Sequence, residues 1–174
     1  MAKSSYKQIK IDEKRIVEEL EKNARASIDD IAKKCGFSRQ KVWRLIKRLE
    51  EQKTIWGYHA VADHEKLGSK EYIILIKRSL KNIDSLVDKI ISREIEKRAV
   101  EANAKISSSY YLNGYYDWII CIIAEDIKSA KKFSETLNKT YGEHIKESQL
   151  LENIFPVKRC GLENPNIKRL RDFL

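Results

Sequence analysis

The sequence predicts an α+β chain in two unlike parts. A winged helix-turn-helix domain is expected over residues 1–64 and a ferredoxin-like (βαββαβ) domain over 65–157, followed by a basic extension at 158–174. Three observations carry this expectation. Apolar residues recur at helical spacing in three short segments of the first fifty residues. Only Gly36 and Phe37 lie between the end of the second segment and Ser38, which opens the third. After Gly68-Ser69-Lys70 the pattern changes to continuous Ile-rich runs alternating with helical ones.

In the first segment Asp12 is placed to cap a helix whose inward positions are Ile16, Val17 and Leu20, ending near Asn23. The second opens with Ser27-Ile28-Asp29-Asp30, a short-acid form of the capping box, and buries Ile28, Ile31, Ala32 and Cys35. Gly36 stops it, since a helix end often requires the left-handed conformation that glycine adopts without strain. In the third segment Val42, Leu45, Ile46 and Leu49 fall on one arc at about 100° per residue, and Arg39, Gln40, Trp43, Arg44 and Lys47 fall on another. The run Thr54 to Ala62 is extended in character and would form a wing or a strand leading to a linker.

In the second part Tyr72 to Ile76 and Trp118 to Ala124 read as strands, with Tyr110 to Leu112 joining the latter across Asn113-Gly114. Ile83, Leu86, Val87, Ile90, Ile91 and Ile95 recur at helical spacing, as do Ile127, Ala130, Phe133, Ser134 and Leu137. Leu150 to Phe155 closes as a last strand. Two helices cover one face of such a sheet, yet the Ile-rich runs are apolar on both alternating faces. The second face therefore needs a partner, and a two-fold related copy is the simplest one.

The chain carries 35 Lys and Arg against 26 Asp and Glu, a formal charge of +9. That balance suits a polyanionic partner and plain solubility alike. Its distribution says more, because Lys33 to Arg48 holds seven basic residues and no acid. No apolar run approaches the roughly 20 residues that span a bilayer and no signal-peptide core opens the chain, so a cytoplasmic protein without a membrane partner is expected. Cys35, Cys121 and Cys160 lack paired spacing and His59, His64 and His144 stand alone, so no metal site is expected. Nothing reads as a nucleophile with its base, a phosphate-cradling loop or paired carboxylates, so no catalytic residues and no enzyme are expected.

The segregated third helix suits duplex DNA. Arg39 and Gln40 in its first turn are placed for base edges, Arg forking to guanine and Gln to adenine. Arg44, Lys47 and Arg48 are placed to fix register on phosphates, and the helix starts capped by Ser27 and Ser38 offer free N–H groups to phosphate. Trp43 on the outer face either touches DNA or packs on Trp56 or Tyr58. On a dimer the paired helices would reach successive major grooves about 34 Å apart, which predicts a palindromic or pseudo-palindromic site. Asn113, Gly114, Tyr115, Tyr116 and Asp117 combine an open backbone, hydroxyls and a carboxylate in a way that suits an amino acid, and equally make a plain type I′ turn with tyrosines at a subunit contact.

These residues resemble the Lrp/AsnC (feast/famine) family of bacterial and archaeal transcription regulators. The likeness rests on Ser27-Ile28-Asp29-Asp30-Ile31-Ala32, Gly36-Phe37-Ser38, Arg44 through Glu50, Ile55-Trp56-Gly57-Tyr58 leading to Lys66-Leu67-Gly68, and Gly114-Tyr115-Tyr116-Asp117. It runs from about Ile11 to Phe155. It implies homodimers that assemble into tetramers, octamers or larger forms and wrap or bend DNA. It also implies no cofactor beyond an amino-acid effector held near the G-x-x-D turn between dimers, with Gly114 and Asp117 foremost. The helical stretch from Asn82 to Ala102 is longer than the family's, Asn113 stands where Thr is usual, and the basic tail, read as subunit-swapped, phosphate-binding or disordered, extends past the final strand. An effector-independent regulator or architectural DNA binder fits the same residues. An RNA-binding module shares the βαββαβ order, but the central strand is Ile-rich where stacking rings would be needed.

Overall fold

The computed structural model describes residues 6–81 and 84–174. The chain divides into two compact units, one of residues 1–61 with 157–167, the other of 62–156 with 168–174. The basic tail is thus shared between the units.

The first unit is a three-helix bundle: α1 (Tyr6–Lys22), α2 (Ile28–Cys35) and α3 (Arg39–Glu51). Its core is Ile16, Leu20, Ile31, Ala32, Cys35, Val42 and Leu45, which are the inward arcs of the three amphipathic segments. Leu49 is buried as expected, whereas Ile46 is only partly so. Burial pushes the Cys35 thiol pKa up, as befits a core thiol. The first helix begins earlier than expected: Asp12 does not cap it but lies in mid-helix and is buried. Thr54 to Ala62 joins no strand ladder among the described residues, and Trp56 is 94% exposed. An extended segment becomes a strand only when a second one bonds to it, and a single chain supplies none here. The tail makes a short hairpin in this unit, Lys158–Arg159 against Leu162–Glu163, turning at Cys160 and Gly161 with φ of 44° and 83°.

The second unit holds a four-stranded antiparallel sheet of β1 (Lys70–Arg78), β2 (Ala104–Tyr111), β3 (Trp118–Ala124) and β4 (Ile145–Glu152), in the order β2-β3-β1-β4. With α4 (Asp84–Ile91), α5 (Glu94–Glu101) and α6 (Ile127–Tyr141), this is the expected βαββαβ plan, its first helix broken in two. Tyr72, Ile74, Ile76, Trp118, Ile120 and Ile122 point to a core completed by Leu86, Ile95, Phe133, Leu137 and Tyr141. Ile73, Leu75, Ile119, Cys121 and Ile123 alternate onto the other face and stay half-buried.

Two expectations differ from the structure in this unit. The stretch Asn82 to Ala102 is not one helix. Arg93, at φ 54°, breaks it, and the reorientation buries Ile95 and Ala99 while Val87 is exposed and Ile91 is left 72% exposed. Ile83, expected on the same inward arc, lies outside the described residues. The last strand is Ile145–Glu152 rather than Leu150 to Phe155, since an edge strand with Lys146, Glu147 and Gln149 on it carries no apolar run to reveal it.

Candidate nucleic-acid interface and the 112–117 loop

The α2–α3 turn is set by its caps. The Ser27 hydroxyl accepts the Asp30 N–H (3.0 Å) and donates to the Asp30 carboxylate (2.7 Å). Gly36 at φ 64° turns its N–H back to the last carbonyls of α2, and Ser38 Oγ accepts the Lys41 N–H (3.3 Å). Phe37 between them lies under two cations, the Lys41 ammonium 3.9 Å and the Arg15 guanidinium 5.0 Å from its ring centre.

Two consecutive acids of α1 reach the back of α3. Asp12 (2% exposed) meets Lys41 Nζ at 2.6 Å. Glu13 (4% exposed) accepts from both Nε and Nη2 of Arg48, with Lys10 at 3.2 Å. Burial alone would raise both carboxyl pKa values. The Lys41 and Gln8 bonds to Asp12, and the Arg48 and Lys10 bonds to Glu13, outweigh it and hold both below the ordinary range. Arg48, expected among the phosphate contacts, instead turns to the back of α3, where it shares the buried Glu13 carboxylate with Lys10.

On the opposite side of α3, Arg39, Gln40, Trp43, Arg44 and Lys47 are all exposed together. Arg39 Nη1 donates to Asp29 Oδ2 at 2.7 Å, and Lys47 lies 3.9 Å from Glu51 and 5.4 Å from the Trp43 ring centre. Among the described residues no ring contact joins Trp43 to Trp56 or Tyr58, and Trp56 is open to solvent. Sequence reasoning missed Asp12, Glu13, Lys41 and Phe37. The contacts that decide their roles are mostly distant in sequence, Asp12 with Lys41, Glu13 with Arg48 and Phe37 with Arg15, and no local spacing signals them.

The loop before β3 is not a two-residue hairpin turn. Leu112 N–H donates to Asp117 O at 2.7 Å across six residues, and Gly114 takes no left-handed φ, so the type I′ reading is set aside. A Cβ on Gly114 would meet nothing within 4 Å. Asp117 is partly a structural pin: its Oδ2 accepts the Arg78 N–H (2.7 Å) and its own N–H bonds Ile76 O (2.9 Å). Tyr115 and Tyr116 meet edge to face at 5.0 Å, with Lys77 Nζ 3.5 Å from the Tyr115 ring centre, and Asn113 is exposed. Behind the loop Arg78, Tyr111, Asp117, Trp118 and His144 line a cavity of about 10 Å³, room for one water. The buried His144 meets Ser85 Oγ at 3.1 Å through Nε2, and its Nδ1 and Arg78 Nε lack protein partners.

A capped helix pair presenting one basic, hydrogen-bonding face, joined to a separate βαββαβ unit, defines a DNA-binding transcription regulator. A family model described as winged helix-turn-helix DNA-binding matches residues 13–55. The chain belongs to the Lrp/AsnC family. It is 32% identical over 122 residues to an HTH-type transcriptional regulator of Methanocaldococcus jannaschii, covering 68% of this chain and 74% of that one. The fold matches an AsnC family transcriptional regulator from Agrobacterium tumefaciens with a TM-score of 0.64 at 20% identity, covering 85% of this chain and 92% of that one. It also matches a transcriptional regulator of Neisseria meningitidis solved as an L-Met complex, with a TM-score of 0.62 at 17% identity, covering 89% and 96%. These relatives are regulators, not enzymes. Among the described residues no helix is long and apolar enough to cross a membrane.

Proposed function

We propose that the protein acts as a two-fold dimer that reads a palindromic or pseudo-palindromic duplex and answers to an amino acid. The observation that carries the DNA reading is the shared exposure of Arg39, Gln40, Trp43, Arg44 and Lys47, with the remaining cations of α3 drawn to its back. Arg39 and Gln40 in the first turn take base edges, Trp43 meets the backbone or a sugar, and Arg44 and Lys47 take phosphates. The N–H groups at the starts capped by Ser27 and Ser38 add phosphate contacts. The apolar outer sheet face, Ile73, Leu75, Ile119, Cys121 and Ile123, supports self-association through that face, with tetramers or octamers built on the dimer.

The effector reading rests on Asn113, Gly114, Tyr115, Tyr116 and Asp117 and on the L-Met complex of the Neisseria regulator. A glycine at 114 answers no demand of φ or packing within one chain, which fits a surface that something else approaches. The adjoining cavity, at about 10 Å³, has room for one water, far below the roughly 300 Å³ of a small-molecule pocket, so an amino-acid site here would be completed by a second copy. The same small cavity favours the second reading, a regulator without an effector.

The test is selection of duplexes from a random library, then footprinting of the best site with and without each amino acid. Paired protections one helical turn apart, altered by one amino acid, are expected. Unpaired protection argues against the dimer on DNA, and protection that no amino acid alters favours the effector-free reading.

A further inference from the structure

Arg39 opens α3 and Asp29 lies in the first turn of α2, and the two side chains meet across the turn at 2.7 Å. Both are more than half exposed, so the pair adds little to stability. Its geometry is more informative. The bond uses only Nη1 and one carboxylate oxygen, and no acceptor among the described residues bonds Nε or Nη2 of Arg39. That remaining edge is a two-donor fork, the arrangement that matches O6 and N7 of guanine. Asp30, the neighbouring acid, is occupied by Ser27 and does not compete for Arg39.

Taking Arg39 as a base-reading residue, we infer that Asp29 is a specificity-determining positioning residue that holds the Arg39 fork ready for a guanine edge and keeps it from binding phosphates indiscriminately. Two effects act together. An arginine on a flexible stem is drawn to any phosphate, and each such contact adds affinity that carries no sequence information. Pairing with Asp29 cancels that attraction at long range and fixes the orientation of the guanidinium plane. At a matching base pair the Nε and Nη2 edge bonds guanine while Nη1 keeps Asp29. At a phosphate the carboxylate faces a second negative charge, and the contact is disfavoured.

The experiment measures binding of the full chain to the best library-selected duplex and to random duplex across a salt series, for wild type, Asp29→Asn, Asp29→Glu, Arg39→Ala and Asp29→Asn with Arg39→Ala. A thermal melt checks that each variant folds. Asp29→Asn should bind random duplex about 3–10-fold tighter, with a log–log salt slope steeper by about 0.9 per protomer, one added phosphate contact. Affinity for the selected duplex should change less, so discrimination falls, and Asp29→Glu should restore most of it. The gain on random DNA should vanish when Arg39 is also Ala. A gain that survives in the double variant would mean that Asp29 merely repels DNA, and unchanged discrimination in Asp29→Asn would remove it from specificity; either result overturns the inference and leaves the reading of Arg39 standing. Unchanged discrimination in Arg39→Ala alone overturns both.

Discussion

Removing Arg48 separates the two roles that cations play on α3. In Arg48→Ala the Glu13 carboxylate stays in the bundle at 4% exposure and keeps only Lys10, at 3.2 Å, of its two cation partners. Breaking a buried pair by deleting one partner costs about 3–5 kcal/mol when the survivor is left alone. Lys10 remains and the Arg48 side chain is 35% exposed, so the expected loss is nearer 2–3 kcal/mol, about 10–20 °C in the melting of a unit this size. Urea denaturation followed by circular dichroism, with amide hydrogen exchange along α1 and α3, measures it locally. DNA affinity at a temperature where the variant is folded should fall less than in Arg44→Ala. Replacing both partners, Glu13→Leu with Arg48→Met, should recover most of the stability, since no buried charge is then left unpaired. A variant Arg48→Ala with wild-type stability and a large loss on random DNA would refute the inward assignment and return Arg48 to the phosphate contacts.

Arg44→Ala should weaken binding to specific and random duplex alike, with a salt slope shallower by about 0.9 per protomer and stability within about 0.5 kcal/mol of wild type. The pKa values of Asp12 and Glu13 are lowered on folding, so their contribution to stability is fully present above about pH 5 and is lost as pH falls through the lowered values. Urea midpoints between about pH 6 and 2 should fall less steeply in Asp12→Asn with Glu13→Gln than in wild type, and parallel curves would contradict the shifts. Ile119→Asp, on the outer sheet face, should yield monomers in sedimentation and a large loss on palindromic DNA, and an unchanged oligomer would place the dimer contact elsewhere. Asp117→Ala should abolish any amino-acid response and also cost about 1–3 kcal/mol, because the Arg78 N–H loses its charged acceptor. Asp117→Asn keeps an acceptor there and should spare most of that stability, whereas an unaltered response in the Ala variant would take Asp117 out of the effector site.

The parts of the fold legible in the sequence were those whose signal is local. Val42, Leu45 and Leu49 share an arc of α3, Gly36 takes the left-handed φ expected of it, and the runs at Tyr72 and Trp118 became the two central strands. The exposed face of α3 followed from the same arithmetic. What was hidden depends on partners distant in sequence. Asp12 looked like a cap because nothing nearby says that Lys41, 29 residues on, needs a carboxylate. Arg48 lies close to the boundary between the two faces of α3, and only Glu13 decides which way it turns. The strand Ile145–Glu152 was obscured because an edge strand carries polar residues that cancel its apolar signal. Arg93 broke an apparently single helix because a left-handed φ at a residue other than glycine has no reliable signature.

The disposition of charge bears on how a stretch with seven cations and no acid of its own would read sequence, as proposed. The acids lie elsewhere in the unit: Glu19 takes Lys34, Asp12 takes Lys41 and Glu13 takes Arg48, two of the three acids being buried. The Asp12–Lys41 and Glu13–Arg48 pairs draw two cations away from the outer surface and fasten α3 to α1, fixing the rotation of the helix about its axis, while Glu19–Lys34 ties α2 to α1. A recognition helix free to roll would offer its arginines to phosphates at many angles, and affinity would grow at the expense of discrimination. Held in one rotation, it presents Arg39 and Gln40 at its first turn, and the proposed role of Asp29, which pairs with Arg39 at 2.7 Å, is to limit what that arginine accepts. On the proposed reading, specificity in this domain depends on carboxylates that are not expected to touch a base, and their removal should make the protein bind DNA less selectively before it makes it bind less.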